Sequence, residues 1–234
     1  MAQEAGQPAS KACRIRFLNH SCIVLESPAT RILCDPWFEG TAFNDGWRLL
    51  VEHSHRIDAI DCDYIWLSHE HPDHFSIPTL RGLGAPRRFL YQKTRDGKVR
   101  AFLNAKGHTC TEMDEGVTYT FGDLRQTIYV SDGYDSAAVV EFPDGSVFLN
   151  ANDARLEMGG NIERIRSRHP RIDVLAAQFS YANWAGNIAY RASTELAGAK
   201  FGALPFQLGP SMGHRVQLVR FDVEHEGRGV LLWD

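Results

Sequence analysis

An apolar run that empties into three histidines and an aspartate constrains this chain more than any other feature. Ile60-Asp61-Cys62-Asp63-Tyr64-Ile65-Trp66-Leu67 reads as a strand, and Ser68-His69-Glu70-His71-Pro72-Asp73-His74 follows it directly. So many imidazole and carboxylate groups within six residues are a dense supply of ligands for zinc or iron, denser than an ordinary surface loop provides. In extended chain alternate side chains share a face, so His69 and His71 are expected to point together. Pro72 should then turn Asp73 and His74 toward a second point nearby. The pattern predicts two adjacent metal half-sites at one strand end.

The rest of the chain is of a kind that builds one core around such an edge. With 234 residues, 44% of them hydrophobic, a single domain over residues 12–234 is expected after a polar, disordered-looking tail at 1–11. A net charge of −4 without a basic run gives no footprint for nucleic acid or for a membrane surface. No stretch has the apolar core of a signal peptide or the ~18–20 apolar residues of a membrane span. A cytoplasmic protein acting on a small molecule is the expectation. The five cysteines, Cys13, Cys22, Cys34, Cys62 and Cys110, form no CxxC pair and are odd in number. They read as small buried hydrophobes, not as a disulfide framework, an all-cysteine zinc site or an iron–sulfur ligand set.

Along the chain, strands are predicted at 13–19 and 21–27, with a turn at Ser27-Pro28-Ala29-Thr30 closing a hairpin onto Arg31–Asp35. His20 falls between two strands, and Asp35 ends one. Residues 36–47 carry Trp37, Phe43 and Trp47 among glycines, as loops do that fold over their own core or over a ligand. His53, His55 and His108 read as ordinary surface or loop histidines. Ser76 is placed to cap a short helix at 77–83. A strand at 87–91, a charged helix-prone stretch at 92–103, a strand from 107, strands at 126–130 and 137–142, and a Pro-Asp-Gly turn into 146–149 follow. A helix is predicted over 158–169, a buried strand over 172–177, and beyond them a helix at 192–200 and strands at 202–206 and 216–221. Phe179, Tyr181, Asn183 and Trp184 mix rings with polar groups in the way pocket walls do.

The HxHxDH pattern at His69–His74 resembles the metallo-β-lactamase superfamily. Asn19-His20-Ser21 followed by a hairpin ending in Asp35-Pro36 resembles the opening of several of its branches. The wording Asp35-Pro36-Trp37, then Gly40-Thr41-Ala42-Phe43-Asn44 and Gly46-Trp47, resembles its CMP-N-acetylneuraminate hydroxylase branch. The resemblance implies an α/β (α+β) fold, an αββα sandwich of two mixed sheets flanked by helices, with a dinuclear site at one edge. It makes His69, His71, Asp73 and His74 metal ligands, Asp153 a bridging carboxylate and His214 the last ligand of the second metal. It also has Asp35 orient a ligating histidine, and brings His20 and Asp73 to the chemistry. Where most of the superfamily places a third histidine, this chain has Ser131-Asp132-Gly133-Tyr134-Asp135-Ser136, leaving Asp132 and Asp135 as alternative ligands.

Two histidines with a carboxylate suit non-haem iron as well as zinc. The expected cofactor is therefore two divalent metal ions, iron ahead of zinc or manganese. Two activities are implied: a diiron monooxygenase hydroxylating a small metabolite or carrier-bound intermediate, and a zinc-dependent hydrolase of an ester, lactone, amide or phosphodiester. The chain lacks paired cysteine and histidine ligands for an iron–sulfur module, so the oxygenase implies electrons from an external reductase or ferredoxin. A purely structural metal would need only one closed four-ligand site.

Overall fold

Alternation along the strands decides the layering. The structure, a computed structural model, describes residues 13–49, 56–131 and 134–178 together with the backbone of a strand at 229–233. One sheet follows chain order: β1 (Arg14–Asn19), β2 (Cys22–Glu26), β3 (Arg31–Cys34), β4 (Tyr64–Leu67), β5 (Arg88–Gln92) and β6 (Thr109–Met113). Its first two pairings are antiparallel and the rest parallel. The other contains β7 (Thr118–Phe121), β8 (Leu124–Ser131), β9 (Asp135–Glu141), β10 (Val147–Asn152), β11 (Val174–Gln178) and β12 (Gly229–Trp233), antiparallel up to β10 and parallel after it.

Residues of one parity fill the space between the sheets. Ile23, Leu25, Ile32, Trp66 and Leu90 of the first meet Leu124, Ile128, Val140, Phe148 and Ala176 of the second. The other parity faces outward. On the first sheet Val24, Leu33, Ile65, Leu67 and Phe89 pack under α1 (Ile77–Arg81) and α2 (Lys98–Ala105), whose Leu80, Val99 and Leu103 cover them. On the second, Val139, Leu149 and Leu175 meet Ile165 of α3 (Asn161–Arg168). Both faces of each sheet are thus apolar, which is why the strands read as continuous runs and not as half-polar ones. The result is two mixed sheets with flanking helices, the sandwich the resemblance implied. Among the described residues no helix is long and apolar enough to cross a membrane.

Local chemistry sets the boundaries. Ser76 caps α1, its hydroxyl accepting from Thr79 N at 3.3 Å. The helices predicted at 92–103 and 158–169 begin later, at Lys98 and Asn161, because Gly97, Gly159 and Gly160 adopt φ of 58°, 65° and 69°, values outside a right-handed helix. The run from Ile60 becomes a strand only at Tyr64, Asp63 being engaged with Arg31 N at 2.9 Å. The β2–β3 turn docks on the β7–β8 turn, where Asp123 accepts from Ala29 N at 3.1 Å. A Cβ on Gly122 would lie 1.8 Å from Thr30 Oγ1. Strand β12 was not anticipated, and the elements predicted at 192–200, 202–206 and 216–221 lie outside the described residues. All five cysteines are free, three of them buried.

Candidate metal centre

A residue with positive φ immediately follows β1 and β3, His20 (38°) and Asp35 (42°), and another, Asn152 (36°), closes β10. Histidine, aspartate and asparagine are the non-glycine types that tolerate this region best, and such a residue still costs ~1–3 kcal/mol. All three sit at one edge of the sandwich. There the chain also slips register, at Leu18 in β1 and Ala151 in β10, as bulges do where a side chain is re-aimed.

His69 and His71 converge on this edge, but not by strand alternation. Strand β4 stops at Leu67, and the loop after it brings His69 Nε2 to 2.8 Å from His71 Nδ1. Glu70 between them turns away to Lys98, 2.6 Å distant. Asp153 Oδ2 lies 4.0 Å from His69 Nε2 and 3.5 Å from His74 Nε2. Asp135 Oδ1 approaches His69 Nε2 to 3.9 Å. On the inner side His20 Nε2 meets Asp73 Oδ2 at 3.0 Å, and His74 Nε2 stands 3.6 Å from the same oxygen.

Ligand-type atoms therefore gather in two groups, His20, Asp73 and His74, and His69, His71 and Asp153. Within each group these atoms lie within 4.8 Å of one another. The grouping differs from the one read in sequence. Asp153 falls with His69 and His71 while staying beside His74, and His20 completes the inner set. The donor set fits a cation: His74 Nε2 and Asp73 Oδ1 are buried with no hydrogen-bond partner among the described residues, an arrangement proteins seldom leave uncompensated.

Electrostatics separate the rings. Burial, helped by the charge of His74, pushes His69 down to about 3. Burial acts the same way on His74, but the carboxylates of Asp153 and Asp35 outweigh it and raise the imidazole well above its ordinary value. Asp73 is buried, which disfavours its charge, yet the hydrogen bond from His20 and the charge of His74 hold it below the usual range. Asp153 is depressed further, the charge of His74 overriding its burial.

Support comes from residues with no ligand signature. Asp35, fully buried, accepts from Ser68 N at 2.7 Å, from Ser68 Oγ at 2.8 Å and from His74 Nδ1 at 3.0 Å. Ser136 Oγ donates to Ser68 O at 2.7 Å, and Asn152 Nδ2 donates to Ser136 O at 2.9 Å, lacing the two sheets together at this edge. Ser21 Oγ lies 3.2 Å from His74 Nδ1. Sequence reasoning passed over Ser21, Ser68, Ser136 and Asn152. Their one signal was position, next to a ligand or at a strand end.

Of the aromatic residues, Trp37 is buried and its ring stands perpendicular to that of His20, centroids 5.2 Å apart. Phe43 and Trp47 are 43% and 51% exposed, so they remain available to a ligand. Their loop is closed by the Ala42–Trp47 bridge, and the Phe43 ring lies 5.9 Å from that of His71. Asp132, Phe179, Tyr181, Asn183, Trp184 and His214, with His53 and His55, lie outside the described residues. His108 accepts from Arg87 N at 3.2 Å, away from this edge.

The β-lactamase superfamily domain model matches residues 14–227. The chain belongs to that family. Among curated relatives of this superfamily member is a cytidine monophosphate-N-acetylneuraminic acid hydroxylase from Danio rerio, 28% identical over 179 residues, which are 71% of this chain and 29% of that protein. The chain thus spans less than a third of that relative's length. The diiron β-hydroxylase CmlA from Streptomyces venezuelae shares the fold at TM-score 0.55 and 16% identity, over 74% of this chain and 35% of the other. An isothiocyanate hydrolase from Delia radicum gut bacteria does so at TM-score 0.59 and 13% identity, over 78% and 79%. Hydroxylases and hydrolases both stand among this family member's neighbours.

Proposed function

We propose that this chain holds two divalent metal ions at the sandwich edge and acts as a non-haem diiron oxygenase that hydroxylates a C–H bond of a small metabolite or carrier-bound intermediate. One observation carries the two-metal reading: each ligand group consists of two histidines and one aspartate. This composition suits oxygen-activating ferrous iron and is also found in hydrolytic zinc sites, so the choice of iron leans on the relatives. The hydroxylase names of the curated relatives and of CmlA support the same choice.

His69, His71 and Asp153 would hold one metal and His20, Asp73 and His74 the other, with Asp153 near enough to His74 to serve both and Asp135 beside His69. Iron bound there would supply reductive activation of dioxygen, one oxygen atom ending in the product hydroxyl and the other in water. The two electrons would come from an external reductase or ferredoxin. The protein's own part is to orient and to manage protons. Asp73 Oδ2 and His20 Nε2 lie 3.0 Å apart, so a proton held between them without metal would be released as the ion binds. Phe43 and Trp47 offer an exposed apolar wall beside His71 against which a substrate can lie.

The test is oxygen chemistry on protein purified from iron-supplemented culture. After chemical reduction and exposure to dioxygen, the reading expects an optical chromophore that fails to form without oxygen. It also expects label from isotopic dioxygen in the hydroxylated product of a substrate panel that begins with CMP-N-acetylneuraminate. Zinc retained under every growth condition, with ester, lactone or phosphodiester hydrolysis and no oxygen uptake, would establish the hydrolase in its place.

A further inference from the structure

We infer that Ser68 is a positioning residue that fixes the tautomer of His69 and so aims its Nε2 at Asp153, while the same hydroxyl anchors the Asp35 carboxylate that orients His74. The inference rests on the ligand assignment above and follows from an inventory of donors and acceptors. The Asp35 carboxylate can only accept. Its Oδ2 lies 3.0 Å from His74 Nδ1, so the proton between them belongs to the histidine. The same oxygen lies 2.8 Å from Ser68 Oγ, so the single hydroxyl proton of Ser68 points at Asp35. Only lone pairs of Ser68 Oγ then remain for its other neighbours, His69 Nδ1 at 2.9 Å and His74 Nδ1 at 3.3 Å. His69 must therefore donate from Nδ1, which leaves its Nε2 bare.

That bare nitrogen accepts from His71 Nδ1 at 2.8 Å and faces Asp153 Oδ2 at 4.0 Å. One serine hydroxyl thus sets His69 directly and braces the carboxylate that orients His74 in the other group. It is anchored at every polar atom, its N–H on Asp35 Oδ1 at 2.7 Å and its carbonyl receiving Ser136 N and Oγ at 3.2 and 2.7 Å. Residues that fix the tautomer of a ligating histidine typically contribute ~10–100-fold to metal affinity. Ser68 is fully buried, so no water replaces its oxygen.

The experiment reads the imidazole nitrogens directly, by long-range proton–nitrogen NMR of chelator-treated protein, with the His69 signals identified by their loss in His69→Gln. The expected result is Nδ1–H with unprotonated Nε2 for His69 in the wild type, a shift toward Nε2–H in Ser68→Ala, and retention of the wild-type pattern in Ser68→Thr, which keeps the hydroxyl. In parallel, titration with Zn²⁺ alone should show ~10–100-fold weaker binding by Ser68→Ala and recovery in Ser68→Thr. Should Ser68→Ala fail to fold, the wild-type tautomer still decides. An Nε2–H His69 in the wild type would overturn the inference, as would Ser68→Ala that keeps both the Nδ1–H ring and wild-type zinc affinity. The tautomer is read without metal or oxygen, so a failure of the oxygenase reading leaves this result standing and the two are told apart.

Discussion

The inner group of His20, Asp73 and His74 and the outer group of His69, His71 and Asp153 have the same composition but differ in how far they open to solvent. In the inner one Asp73 and His74 are buried and His20 is half-buried against Trp37, and the Asp35–Ser68–Ser21 hydroxyl and carboxylate network grips His74. In the outer one His69 is buried and braced by Ser68, but His71 is exposed beside the Phe43–Trp47 loop and Asp153 is half-buried. The difference separates two tasks that a single site would have to reconcile. A buried, braced half can hold a cation in fixed geometry, while an open half can exchange ligands and meet substrate. Asp153 joins them, lying within 4.0 Å of both His69 Nε2 and His74 Nε2.

The largest effect should therefore come from breaking the join. Asp153→Ala is expected to empty both halves and to lower activity by more than the ~100-fold that supporting residues contribute, which elemental analysis and turnover check together. Next, the halves should respond unequally to histidine loss. His74→Ala leaves the buried Asp35 carboxylate without its partner and should cost about 3 kcal/mol or more in urea unfolding. His71→Ala, at an exposed position, should stay within about 0.5 kcal/mol of wild type while losing outer-half metal.

How far the sequence led is clear from the same residues. His69–His74 stood out as candidate ligands because histidine is scarce and three of the chain's ten lie within six residues. The layering came only through the family resemblance those residues carry, because β2 to β5 are apolar on both faces and show no alternation that would assign one to the interior. The pairing of halves was not legible. It depends on where β1, β3 and β10 end relative to one another, and therefore on the bulges at Leu18 and Ala151 and the positive φ at His20, Asp35 and Asn152. Ser68 was invisible for a different reason. A serine after a strand carries no chemical signature until the atoms around its hydroxyl are known.

Acidity offers a finer contrast in chelator-treated protein. Burial lowers His69 to about 3 from an ordinary 6.5, so between those values the unfolded chain binds the extra proton. Its contribution is complete above pH 6.5 and is lost as pH falls toward 3. His74 is raised in the fold, so its contribution is complete below its unfolded value and is lost as pH rises through the higher folded one. Urea midpoints against pH should show His69→Gln flattening the acid limb and His74→Gln the alkaline limb. The smallest structural effect is expected at the rim. Trp47→Ala, at a 51% exposed site, should leave stability within about 0.5 kcal/mol and metal content unchanged while raising KM for the substrate.

The central claim, two half-sites sharing one edge and joined by Asp153, is tested most directly by metal-to-protein stoichiometry in protein from iron-supplemented culture, for the wild type, His71→Ala and Asp153→Ala. The account predicts about two metals per chain in the wild type, about one when the exposed outer ligand is removed, and well under one when the joining carboxylate is removed. A wild type that saturates at a single metal, or an Asp153→Ala protein that retains two, would contradict it.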